Sequence, residues 1–118
     1  MAFQWAMTHK DELKAGVPVM RVFKARAVAG KEAELAEKLA TTSVGVVSGK
    51  AGFVGHLAGQ PAETTGSDFV FITLWKDFSA LKAVFGDRWR ESFLPPGYAE
   101  IIEQHSIEHY ELAAARRL

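Results

Sequence analysis

The chain has no cysteine, which excludes disulfides, thiolate metal sites and a cysteine nucleophile together, and makes a reducing, cytoplasmic setting the expected one. It has no surplus of either charge: 14 Lys plus Arg stand against 14 Asp plus Glu. Without a basic excess there is no field to gather nucleic acid or an anionic membrane surface, so neither is an expected partner. Long apolar runs are also missing. The longest, residues 69–75, is strand-sized and far short of the ~20 residues that a membrane helix needs. At the start of the chain, His9, Lys10, Asp11, Glu12 and Lys14 interrupt any apolar core that a secretory leader would require. Residues 1–16 therefore read as an N-terminal extension rather than an export signal.

What is present is a core. The 118 residues suit one domain, and 48% are hydrophobic, including eight Phe and three Trp, enough to fold without a second unit. The domain is expected over residues 17–112, with 113–118 as a tail that frays. In residues 17–28, Phe23, Ala25 and Ala27 alternate with Lys24 and Arg26, the period of two that marks a strand. After Gly30 the period changes. Leu35, Leu39 and Val46 are spaced by four and seven, with Lys31, Glu34, Glu37, Lys38 and Thr41 opposite, which predicts one amphipathic helix closing around residues 48–52. Gly49 and Gly52 supply the positive φ that such a close requires.

A second strand follows at residues 53–60, where Gly55 and Gly59 predict a bulge or a close approach. Residues 61–67 have turn composition, so this strand pairs antiparallel with a third at 69–75. The third strand, Phe-Val-Phe-Ile-Thr-Leu-Trp, is nearly apolar on both faces and so needs cover on both. Asp77 is the expected N-cap of a second helix with Phe78, Leu81, Val84 and Phe85 on one stripe, interrupted at Gly86. Pro95 and Pro96 forbid a continuous helix beyond it. Tyr98, Ile101 and Ile102 are expected to form a last helical turn, and residues 106–112 a fourth strand.

The order β-α-β-β-α-β is the ferredoxin-like arrangement, an α+β fold with a four-stranded antiparallel sheet and its helices on one face. The other face would remain open and apolar. A second copy of the same sheet, packed face to face about a two-fold axis, is the expected cover, making a homodimer.

The order of elements, the strand-to-helix join at residues 23–32 (Phe-Lys-Ala-Arg-Ala-Val-Ala-Gly-Lys-Glu), the junction at 74–81 (Leu-Trp-Lys-Asp-Phe-Ser-Ala-Leu) and the segment 93–98 (Phe-Leu-Pro-Pro-Gly-Tyr) with 105–112 together resemble the antibiotic biosynthesis monooxygenase family. The resemblance spans roughly residues 17–112. It implies a dimeric α+β barrel with a pocket between sheet and helices in each subunit. It does not imply one reaction, because the family includes cofactor-independent oxygenases of aromatic polyketides, haem-degrading enzymes and quinol oxygenases. The resemblance places Trp75 in the pocket. Haem-degrading members carry an Asn on the first strand and a His ten residues after that Trp; here the first strand has no Asn and the corresponding residue is Phe85.

Cofactor-free oxygenation needs an electron-rich phenol or anthrone, a base to ionise it and a dry pocket. His56 is the candidate base, since an imidazole titrates near neutrality, against the alternative of a surface or hydrogen-bonded structural His. Trp75, Phe71, Phe85, Trp89, Phe93 and Tyr98 are the candidate substrate-binding residues; the last three flank the proline break, which reads as a lid over a cavity or as simple packing. Arg88 and Arg90 could anchor an anionic substrate or be solvated. The run His105-Ser106-Ile107-Glu108-His109 spells H-x-x-E-H, but it lies in a strand pattern without a third ligand, so no metal is expected and an exposed or dimer-interface role is the default for both histidines. Residues 45–50 imitate a phosphate loop with the wrong spacing and no following Ser or Thr. Three functions stay open: an oxygenase of an aromatic or quinone-like molecule acting without cofactor, a non-catalytic binder of small hydrophobic ligands, and a haem-binding or haem-degrading enzyme.

Overall fold

The computed structural model describes residues 17–63 and 68–113. The N-terminal extension, the end of the tail and the second half of the turn at 61–67 lie outside the described residues. Four strands, β1 (Val19–Ala27), β2 (Phe53–Gly59), β3 (Phe69–Trp75) and β4 (Ile102–Glu111), form one sheet in the order β2-β3-β1-β4, every neighbouring pair antiparallel. Helices α1 (Glu32–Ala40), α2 (Thr42–Val47) and α3 (Phe78–Phe85) complete it, with a 3-10 turn at Gly86–Arg88. This is the ferredoxin-like α+β fold that the pattern predicts.

Strand parity decides which residues meet the helices. Val19, Phe23, Ala25 and Ala27 of β1 share a face with Phe69, Phe71 and Trp75 of β3, and this face joins Leu35, Leu39, Val47 and Leu81 from the helices in one buried cluster. Each such aliphatic side chain, fully buried, stabilises the fold by about 1.5–3 kcal/mol. The opposite face shows Met20, Val22, Val70, Ile72 and Leu74, with Leu57 60% exposed and Tyr110 half exposed at its edges.

Three expectations need correction. The first helix is two helices. At Thr41 (φ −120°, ψ −71°) both the backbone N–H and the Oγ1 hydroxyl donate to the Glu37 carbonyl, at 3.0 and 2.8 Å, a threonine back-bond that bends the axis. The apolar stripe runs across the bend as Leu35, Leu39, Ser43 and Val47, so hydrophobic spacing alone could not reveal it. Second, Ile101 and Ile102 are not helical. Val28 N–H donates to the Ile101 carbonyl at 2.8 Å and Ile102 pairs with Ala27, so β4 starts four residues early. A register shift between Arg26 and Ala27 breaks the alternation there. Third, His109 stands opposite Arg21 on the helix-covered face and is half-buried, while His105, opposite Ala25 on the same face, is exposed as expected.

Other details agree with the pattern. Asp77 caps α3, its Oδ1 accepting from Ala80 N–H at 2.8 Å. β2 carries its irregularity between Phe53 and Gly55. Gly52 has φ +80° and lies where a Cβ would collide with Ala80, so the loop entering β2 can press against α3 only as glycine.

Candidate functional site

A cavity of about 40 Å³ lies between sheet and helices. By the ~10–15 Å³ that one water occupies, it is small but not empty space. Its floor is Phe23 and Arg21 of β1, Phe71 and Thr73 of β3 and Ile107 of β4; its roof is Ser43, Val46 and Val47 of α2; Phe85, Phe93 and Pro95 close the end. Outside that end is an open cleft of about 420 Å³ bounded by Phe85, Arg88, Glu91, Ser92, Phe93 and Leu94. Phe85 and Phe93 border both spaces and so form the partition between them. Phe93 is 52% exposed, the less constrained of the two rings.

Three side chains bring polarity to this apolar wall. The Thr73 Oγ1 is occupied by Trp75, whose indole N–H donates to it at 2.9 Å. The Tyr98 hydroxyl donates to the Lys38 carbonyl at 2.9 Å, so at 2.6 Å from Ser43 it must accept, and Ser43 is the donor. Burial raises the Tyr98 phenol above its ordinary pKa.

The third is Arg21, 4% exposed. Its Nη1 donates to the Trp89 carbonyl at 2.6 Å and to His109 Nε2 at 2.9 Å, and Nη2 donates to the Glu91 carbonyl at 3.1 Å. The guanidinium lies 3.9 Å over the Phe85 ring. Burial lowers its pKa to about 10, which leaves it a cation at neutral pH. Because arginine has only donors, His109 Nε2 must be an acceptor and the imidazole is neutral, with its proton on Nδ1. Desolvation first, then the charges of Arg21 and Arg90, hold the His109 pKa near 4. Trp89 covers this pair, its ring 5.0 Å from that of His109 and 4.7 Å from Phe78.

Of the candidate residues, Phe71, Phe85 and Phe93 line the cavity together. Trp75 is fully buried one layer behind, edge-on to Phe85 at 6.0 Å and holding Thr73 in place. Tyr98 is buried behind Ser43, and Trp89 supplies a carbonyl to Arg21. His56 is exposed on β2, opposite Thr73; its ring stacks at 6.5 Å on Phe53 and lies 5.7 Å from Phe71, but it is not itself among the residues that line the cavity. Arg88 is paired with Glu91 at 2.9 Å, and Arg90 stacks on Trp89 at 4.3 Å. Sequence reasoning missed Arg21. The signal was parity: extended back from Phe23, the inward positions of β1 read Val19, Arg21, Phe23, Ala25, Ala27, and a cation stands in an apolar register.

His105, Glu108 and His109 form no metal site: Glu108 points to the face opposite the two histidines, and no cluster of three or more metal-ligating side chains occurs among the described residues. No helix among them is long and apolar enough to cross a membrane. Nor does the wall suit haem iron, whose protein ligands are His, Cys, Met or Tyr; the polar groups facing the cavity are a guanidinium and two hydroxyls, and a phenyl ring stands at position 85.

No family model matches the chain, and no curated protein matches it in sequence. Solved structures match its fold. A protein from Shewanella oneidensis aligns with a TM-score of 0.65 at 16% identity over 80% of this chain and 90% of its own. The haem-degrading protein MhuD of Mycobacterium tuberculosis, solved with two haems bound in its active site, aligns at 0.63 and 17% identity over 84% and 99%. SnoaB, a cofactor-independent oxygenase of Streptomyces nogalater, aligns at 0.59 and 17% identity over 86% and 96%. The chain therefore shares the α+β fold of these proteins.

Proposed function

We propose that the cavity binds a flat aromatic or quinone-like molecule and that the protein oxygenates it with dioxygen and no cofactor. The observation that carries this reading is the wall itself: four phenyl rings, Phe23, Phe71, Phe85 and Phe93, around a single buried cation. Ligand entry requires the Phe93 ring to swing into the outer cleft, since the space behind it is smaller than a fused aromatic. An ionised phenol or anthrone held in such a water-poor pocket can pass an electron to dioxygen. In the net reaction one CH2 becomes C=O; one oxygen atom enters the product, the other leaves as water, and the substrate supplies all four electrons. The fold shared with a cofactor-independent oxygenase supports the reading.

One observation favours a second reading, a binder of the same ligands without turnover. No side chain facing the cavity is a base at neutral pH, and His56, the residue proposed for that role, does not line it, although its neighbours Phe71 and Thr73 do. A direct proton transfer needs about 2.6–3.2 Å between heavy atoms or one bridging water. Oxygen uptake measured with a panel of anthrones and quinols separates the two: uptake with product formation establishes the oxygenase, whereas saturable binding without uptake leaves the binder. We also propose that a second copy covers the open sheet face, placing the two cavities on the outer sides of a homodimer.

A further inference from the structure

We infer that Arg21 is the specificity-determining residue of the cavity, and that it selects aromatic molecules carrying an ionised oxygen, carboxylate or phenolate, over neutral ones of the same shape. The inference rests on the ligand-binding reading of the cavity and narrows it. Arginine offers five N–H donors. Three are engaged, two from Nη1 and one from Nη2, and their acceptors are two peptide carbonyls and a neutral imidazole. The Nε hydrogen and the second on Nη2 have no protein acceptor among the described residues. The Nε hydrogen lies on the side edge of the guanidinium, and with the remaining Nη2 hydrogen it leaves the cation donors for a carboxylate or a phenolate oxygen.

Charge balance points the same way. No carboxylate forms an ion pair with Arg21 among the described residues, so its acceptors solvate the cation without neutralising it. The nearest acid in sequence to its carbonyl partners, Glu91, is taken up by Arg88 through two bonds of 2.9 Å and stands exposed outside. Arg90 adds a second positive charge near His109. A buried cation left unneutralised is costly to maintain unless some partner arrives, and an anion in the apolar cavity would be that partner with little water between them. The planar face of the guanidinium is already stacked on Phe85, so a ligand ring in the cavity and its oxygen would lie in line with an oriented fork. A second, open pocket of about 200 Å³ between α1 and the β2–β3 edge, bordered by Ala36, Leu39, Ala58 and Phe69, has no charged group in its lining and offers nothing of the kind.

The experiment titrates the wild-type protein with naphthoate, nitronaphtholate and naphthamide, following tryptophan fluorescence, and repeats the series with Arg21→Met and Arg21→Lys. The expected result is binding of one or both anions at least about tenfold tighter than the neutral amide, as a charge-assisted pair implies. Arg21→Met should abolish that preference while leaving amide affinity within about threefold, and Arg21→Lys should retain a reduced one. The two anions separate carboxylate from phenolate recognition. Equal binding of anions and amide by the wild type overturns the inference and leaves the aromatic pocket standing; no binding of any probe overturns both. Should the variants fail to fold, the Nε–H resonance of Arg21 in the wild type decides: a shift on adding naphthoate but not naphthamide supports the assignment, and an unmoved signal ends it.

Discussion

Ser43 of α2 and Tyr98 of the turn before β4 lie 55 positions apart and are joined by a buried 2.6 Å hydrogen bond, which Tyr98 passes on to the Lys38 carbonyl at the end of α1. This relay ties the bend between the first two helices to the proline segment, and it sets Ser43 against the cavity roof. Replacing Tyr98 by Phe removes the relay while keeping the ring. Two buried groups lose a partner, so the loss should be about 1–3 kcal/mol by urea unfolding. No change in midpoint would show that the hydroxyl contributes nothing to the fold.

Asp77→Ala tests the N-cap of α3. The Oδ1 acceptor for Ala80 N–H disappears, at a cost of about 1 kcal/mol, or roughly 4–8 °C in Tm for a domain of this size. Asp77→Asn or Asp77→Ser should recover most of it. If the three variants melted alike, the cap would have no energetic role.

The His109 imidazole gives the fold a pH dependence of definite sign. Unfolded, it titrates at its ordinary 6.5; folded, desolvation and the charges of Arg21 and Arg90 hold it neutral down to about 4. Between those values the unfolded chain binds a proton that the folded chain refuses. The stability His109 confers is thus complete above about pH 6.5 and is lost as pH falls toward 4. His109→Gln keeps an acceptor for Arg21 and removes the titration, so its Tm should decline less than that of the wild type across this window. Parallel declines would assign the acid sensitivity to other groups.

Leu57→Lys places a charge on the open sheet face, in the row with Ile72 and Val22. If a second copy covers that face, sedimentation should show a wild-type dimer and a variant whose dissociation constant rises about a hundredfold or more, from burying or opposing like charges. A wild type that sediments as a monomer at micromolar concentration would remove the proposed interface altogether.

The parts of the fold visible in the sequence were those written in one period. Phe69 to Trp75 reads as a strand because nothing interrupts it, and Asp77 reads as a cap because three residues later α3 needs an acceptor. What stayed hidden depends on single hydrogen bonds or on register. The bend at Thr41 comes from one hydroxyl choosing the Glu37 carbonyl, and the early start of β4 from an irregularity opposite Ala27. In the site, the aromatic wall was half legible: Phe71, Phe85 and Phe93 are there, while Trp75, Tyr98 and Trp89 support it from behind. Arg21 was not legible from composition or motif, because its meaning arises only when β1 is known to turn that residue inward.

The central place of β1 also orders the assembly of the chain in time. Both of its neighbours come from later sequence, β3 about fifty residues on and β4 nearly ninety, with Val19 opposite Trp75 on one side and Glu111 on the other. No early piece of the chain can close the sheet around β1, so productive folding waits for the last strand, and closure of such distant ends is entropically slow. During synthesis β1 therefore leaves the ribosome long before its C-terminal neighbour exists, and shortening the chain within β4 should block maturation rather than trim an edge.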